Sequence, residues 1–207
     1  MIQGKWTAHK NADGLKALLP RLRVDFKRAI GLDFGESCGL ALCDFLPGQV
    51  IADVPVYLDL LDLTIGTFDS SALRFLRLES FLEVLNPGVI FFEDVRFSPS
   101  MDLLTGKPSV ARILARAAPT TEFFGALKYY VQTWAERREI PCKGYGIGEI
   151  KKYATGKGNA SKVEMVKACN TRLGTTFNPD DCEKTGADDM ADAAFALTIG
   201  IEQYAAA

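Results

Sequence analysis

The chain has 207 residues, 48% of them hydrophobic, with 24 Lys and Arg against 26 Asp and Glu and a formal net charge of −2. Such a length and apolar content suit one globular domain with a full-sized core, and no apolar run nears the roughly 20 residues that span a bilayer. Five cysteines without C-x-x-C spacing and a single histidine, His9, argue against a disulfide frame, a zinc site or a histidine-based triad.

The opening Met1-Ile2-Gln3-Gly4-Lys5-Trp6 lacks the charged-then-apolar pattern of a secretory leader, so a cytoplasmic protein without membrane attachment is expected. Residues 1–27 read as an N-terminal extension, with a short helix around Gly14–Leu19 stopped by Pro20. Ala29–Leu32, Gly39–Leu42 and Val50–Tyr57 read as three short strands, turned at Gly35-Glu36-Ser37 and Leu46-Pro47-Gly48, a meander that pairs antiparallel. A helix over Ser71–Leu85 follows, with Leu73, Leu76, Phe81, Leu82 and Leu85 as its apolar stripe and Asn86-Pro87-Gly88 as its stop. Val89–Phe92 is apolar at both alternating positions, as in a strand covered on both faces.

Phe97–Pro119 reads as a long loop, Thr121–Glu139 as a helix carrying Phe123, Leu127, Tyr130, Val131 and Trp134, and Ile140–Tyr145 as the last strand. Ser161 and Glu164 form an S-x-x-E capping box that opens a helix ended by Gly174, and a final helix runs from about Asp188 to the C-terminal alanines. The expected fold class is therefore α/β, with three antiparallel strands and then two parallel ones in a mixed five-stranded sheet flanked by helices.

Charge is divided along the chain. Residues 107–167 hold 12 Lys and Arg against 5 Asp and Glu, which leaves the remainder acidic. Acidic side chains end the apolar runs: Asp33 in Ile30-Gly31-Leu32-Asp33-Phe34-Gly35, and Glu93 in Phe91-Phe92-Glu93-Asp94. Asp189 and Asp192 lie three residues apart, on one face of a helix. Carboxylates at the edge of an apolar sheet are costly unless positive charge meets them. Magnesium or manganese ions held by such oxygens are the expected partners, two per site as in machines that cut phosphodiesters. A basic stretch beside the acids suits a polyanionic substrate, although ordinary solvated helix faces give the same composition.

The order of these elements resembles the RNase H-like superfamily, and its detail resembles the RuvC family of Holliday-junction resolvases. Four segments carry the resemblance: Ile30-Gly31-Leu32-Asp33-Phe34-Gly35 with Gly39, Phe92-Glu93-Asp94-Val95, the K-x(4)-G-x-G-x-A-x-K run from Lys151 to Lys162, and Asp189-Met190-Ala191-Asp192-Ala193. It spans about residues 28–200, which makes 28–207 an RNase H-like nuclease domain. The resemblance implies a crossover junction endodeoxyribonuclease that works as a homodimer on branched DNA and leaves 5′-phosphates. It gives Asp33, Glu93, Asp189 and Asp192 to the metal ions and places Lys162 beside the scissile phosphate. Lys151 gains a DNA-contacting or catalytic role, with Lys152, Lys157, Gly156 and Gly158 along the DNA backbone. An aromatic often stands three residues after the strand-four acid in that family. Here Arg96 takes that position and Phe97 follows, at the mouth of the site, where an aromatic beside a cation suits an unpaired base.

Other readings stay open at this point. Asp33 also fits a turn former, Asp188 and Asp189 fit helix caps, and the lysines fit a solvated face. The stripe of Phe123, Phe124, Tyr130 and Trp134 suits core or dimer interface better than base stacking. A related nuclease acting on flaps, forks or RNA–DNA hybrids, and a branched-DNA-binding protein that does not cut, are the rival functions.

Overall fold

Lys27–Asp33 is buried at its five inner positions, as expected of a strand with neighbours on both sides and helices on both faces. In the computed structural model, which describes residues 25–46, 54–95 and 110–206 together with positions 13, 16 and 19 (backbone alone over 110–121), this strand is the centre of the molecule. The elements are β1 (Lys27–Asp33), β2 (Ser37–Phe45), β3 (Tyr57–Asp62), α1 (Ala72–Leu85), β4 (Val89–Asp94), α2 (Val110–Glu136), β5 (Cys142–Gly146), α3 (Ile147–Thr155), α4 (Lys162–Leu173), α5 (Cys182–Thr185) and α6 (Ala187–Ala205). The strands form one sheet in the order β3-β2-β1-β4-β5. The pairs β1–β2 and β2–β3 are antiparallel, while β1–β4 and β4–β5 are parallel, as the sequence leads one to expect.

Side chains alternate across a strand, so the sheet builds two cores. Ile30, Leu32, Leu40, Leu42, Ile90 and Phe92 pack on α1 and α2 through Leu78, Phe81, Leu82, Leu85, Leu127, Val131 and Trp134. The opposite face, with Ala29, Ala41, Cys43, Val89 and Phe91, packs on α6 and on the helices outside it. Helix α6 is apolar nearly all round and buried along most of its length, as a helix enclosed by a sheet and by other helices must be. It lies unusually close to the sheet. A Cβ added to Gly31 would stand 2.3 Å from the Ala193 carbonyl oxygen, and one added to Gly39 only 2.1 Å from that of Asp189. Those two glycines make the seat on which the acidic end of α6 rests.

Several sequence expectations are corrected. The third strand is Tyr57–Asp62, not Val50–Tyr57, and residues 50–53 lie outside the described residues. Pro55 brings no N–H to a ladder, and the pairing starts beyond it. Helix α2 begins at Val110, so the second half of the expected loop is helical. Val110–Ala118 is rich in Ala and Arg, strong helix formers, and Pro119 removes one N–H without ending the helix. Residues 97–109 lie outside the described residues, as does most of the lead-in, including all but positions 16 and 19 of the expected helix around Gly14–Leu19. On α1, Leu76 is 58% exposed and Leu78 takes the buried position instead. Helix α3 has no counterpart among the expected elements, because three glycines around it mimic a loop; Gly156 ends it in the left-handed conformation. The capping box of Ser161 and Glu164 and the stop at Gly174 are as expected. Among the described residues no helix is long and apolar enough to cross a membrane.

Candidate active site

The alternation that sorts the cores also sorts the acids. Asp33 shares its face of β1 with Ala29 and Gly31, and Glu93 shares its face of β4 with Val89 and Phe91, so both point toward α6. The parallel register sets Leu32 opposite Phe92, which makes Asp33 and Glu93 the next pair along the same edge. Helix α6 then brings Asp192 to them. One oxygen from each of Asp33, Glu93 and Asp192 lies within 4.8 Å of the others. Asp189 stands beside this trio without joining it. Its Cβ is 3.2 Å from where a Cβ of Gly39 would be, and Gly39 pairs with Asp33 across β1 and β2. Asp94, the neighbour of Glu93, points the other way and binds Lys128 Nζ of α2 at 2.7 Å.

Carboxyls crowded together at a largely buried sheet edge resist ionising side by side. Burial, followed by the charges of Glu93, Asp192, Asp189 and Asp188, raises Asp33 well above the usual carboxylate range. Burial and then Asp192 push Glu93 up to about 8, although Lys151 pulls against them. Burial likewise lifts Asp192 to about 7 and Asp189 to about 6, against the pull of Lys151 and Lys162 on the former and of Lys162 on the latter. One oxygen each of Asp188 and Asp192 is buried with no hydrogen-bond partner. The set of Asp33, Glu93 and Asp192 offers oxygens alone, one of them the unsatisfied buried oxygen of Asp192, and so fits hard divalent ions such as magnesium or manganese.

The lysines divide. Lys151 on α3 lies close enough to lower both Glu93 and Asp192, so it belongs to the site. Lys162, the first residue of α4, has its Nζ 2.8 Å from Asp188 Oδ2 and 3.4 Å from Glu183 Oε1. Lys152 is exposed on α3, and Lys157 is exposed with its Nζ 3.1 Å from Glu164. The amino end of α4 is partly occupied already. The Ser161 hydroxyl accepts from the Glu164 amide, and the Glu164 carboxylate accepts from the Ser161 amide. The Lys162 ammonium, at the same end of the helix, stays 54% exposed. Gly156 is left-handed as the α3 cap, and a Cβ on Gly158 would lie 3.3 Å from the Gly148 carbonyl, so both glycines have local reasons as well. Arg96 and Phe97 lie outside the described residues. Phe123, Phe124 and Tyr130 pack against the core around Trp134, as the core reading of that stripe expects.

Asp188 reads as a cap in the sequence, and the structure corrects this. Gly186 is the N-cap of α6, no side chain caps the helix, and Asp188 is buried against Lys162. Its spacing of four residues from Asp192 is the signal that the sequence offers.

Mixed five-stranded sheet, flanking helices and an acidic sheet edge together are the RNase H-like fold. RuvC of Thermus thermophilus has the same fold: its structure in complex with a Holliday junction substrate matches with a TM-score of 0.56 and 17% identity, over 85% of this chain and 96% of that one. A further structure of Thermus thermophilus RuvC matches with a TM-score of 0.50 and 18% identity, over 84% and 96% of the two chains. No family model matches the sequence, and neither does any curated protein. At such identities the likeness establishes the fold and its element order.

Proposed function

We propose that this protein is a divalent-metal-dependent, structure-selective DNA endonuclease that resolves four-way junctions and other branched DNA by phosphodiester hydrolysis, leaving 5′-phosphates. The observation that carries the reading is the convergence of Asp33, Glu93 and Asp192 within 4.8 Å on a fold shared with a RuvC that has been seen on a Holliday junction. Asp33, Glu93 and Asp192, with Asp189 beside them, would hold two ions. Bound there, such ions acidify water and relieve negative charge on the leaving 3′ oxygen.

The protein's own groups do the rest. Helix α6, seated on Gly31 and Gly39, holds Asp189 and Asp192 against Asp33 and Glu93 of the strands. Lys151 offsets part of the repulsion at Glu93 and Asp192. Lys162 meets the reacting phosphate, where a fixed cation favours the more negative transition state. Lys152 and Lys157, both exposed, contact the DNA backbone and add salt-sensitive affinity without sequence preference. Arg96 and Phe97 follow Glu93 closely in the chain and are assigned to an unpaired base and its phosphate at the branch point. Two opposed cuts in one junction call for two sites in fixed relation, which a two-fold homodimer supplies.

The test is a panel of end-labelled substrates in magnesium and in EDTA: an immobile four-way junction, a flap, a fork, an RNA–DNA hybrid and plain duplex. Paired nicks across the junction, dependent on magnesium, are expected. Preferential cutting of hybrid or flap instead assigns the fold to another substrate, and junction binding without cutting in any divalent ion makes it a binding protein.

A further inference from the structure

Lys162 is tied to the carboxylate site by a residue that the two-metal reading does not use. Its side chain is 54% exposed, whereas that of Asp188 is 4% exposed, and their contact is 2.8 Å. The ammonium thus has one face toward solvent and one held by a buried anion. Asp188 lies next to Asp189 and one helical turn from Asp192, so the contact fixes the lysine to the same turn of α6 that carries the acids. The second oxygen of Asp188 is buried and without a hydrogen-bond partner, so the carboxylate rests on Lys162 for its compensation. Glu183, 70% exposed at 3.4 Å, is a weak second partner.

We infer that Asp188 is the positioning residue of Lys162: it holds the ammonium at a set place over the acidic end of α6, where the phosphate arrives. Part of the inference rests on the nuclease reading above, since the consequence for rate requires a cut. The ion pair itself has a consequence that does not. Removing Lys162 alone strands a buried carboxylate, while removing both charges leaves nothing uncompensated. A lysine released from Asp188 keeps its charge and its reach for DNA but loses its fixed position, so rate is affected more than affinity.

The experiment is a double-mutant cycle of Lys162→Ala and Asp188→Asn, read in melting temperature without DNA and in single-turnover cleavage at saturating junction. Melting temperature should fall in Lys162→Ala and recover when Asp188→Asn is added. Asp188→Asn alone should slow cleavage about 10- to 100-fold, as loss of a residue supporting a catalytic group typically does, with junction affinity unchanged or tighter. Added to Lys162→Ala, it should slow cleavage no further. Multiplying rate losses, a melting temperature that does not recover, or a defect confined to affinity each overturn the assignment. A wild-type protein that cuts no branched DNA while the melting cycle still couples overturns the nuclease reading and the positioning role with it, and leaves the ion pair standing.

Discussion

At the residue scale, two adjacent acids show how little sequence position says about role. Glu93 and Asp94 end the same strand, yet alternation sends one into the carboxylate site and the other to Lys128 on the far side of the sheet. Glu93→Gln should lower the affinity for magnesium or manganese measured by calorimetry, with little cost in stability, because burial and its acidic neighbours already oppose the ionised form of Glu93 in the ion-free protein. Asp94→Asn should do the reverse, lowering the melting temperature with ion affinity near wild type. Loss of ion affinity in both variants would put Asp94 in the site as well. Of the three acids that converge, Glu93 stands out most in the sequence, because a glutamate ending an apolar strand is hard to explain as a turn former; Asp33 also fits a turn, and Asp192 is marked only by its spacing from Asp189. Asp188 is not, since an aspartate at the start of a helix is so often a cap.

At the scale of elements, the seat of α6 decides whether the acids meet. The helix carries Asp189 and Asp192 on its first turns, and those turns touch the backbone of β1 and β2 at Gly31 and Gly39. Gly39→Ala puts a methyl group against the Asp189 carbonyl, with only backbone to give way. Overpacking of this kind typically costs about 1–3 kcal/mol. A lower melting temperature together with weaker binding of divalent ions is expected, because the turn that moves is the one that bears the acids. A stable Gly39→Ala protein with wild-type ion affinity would show that α6 is positioned by its other contacts. Alternating and helical periods in the chain place strands one, two, four and five and the last helix nearly as found. They miss the third strand, where β-branched residues around Pro55 look strand-like but the proline cannot pair, and helix α3, whose flanking glycines look like a loop.

At the scale of the whole molecule, the raised carboxyls couple stability to pH and to ions. Glu93 at about 8, Asp192 at about 7 and Asp189 at about 6 stand above their ordinary values of 4.5 and 3.8. Below about pH 3 these groups are protonated in folded and unfolded chains alike and cost nothing. Above about pH 8 they are ionised in both, and the folded chain bears their full repulsion and burial. Ion-free protein should therefore lose stability as pH rises from about 3 to 8, with magnesium restoring more of it at pH 8 than at pH 5.5. Thermal melting in EDTA and in magnesium across that range checks this; an increment from magnesium that does not grow with pH would mean that the acids are not the ligands. The division of charge between a basic 107–167 and an acidic remainder is also a property of the whole chain, and the fold brings its two parts together where Lys151 and Lys162 meet the acids of β4 and α6.

If Asp33 and its neighbours form a metal cage that cuts DNA, the most direct measurement is the single-turnover rate of Asp33→Asn on an immobile four-way junction in magnesium, with junction affinity measured beside it in EDTA. Cleavage should be abolished while affinity is kept or improved, because an amide binds the ion poorly and repels phosphate less than a carboxylate does. Turnover near the wild-type rate by a folded Asp33→Asn protein would contradict the cage and remove the basis for the nuclease.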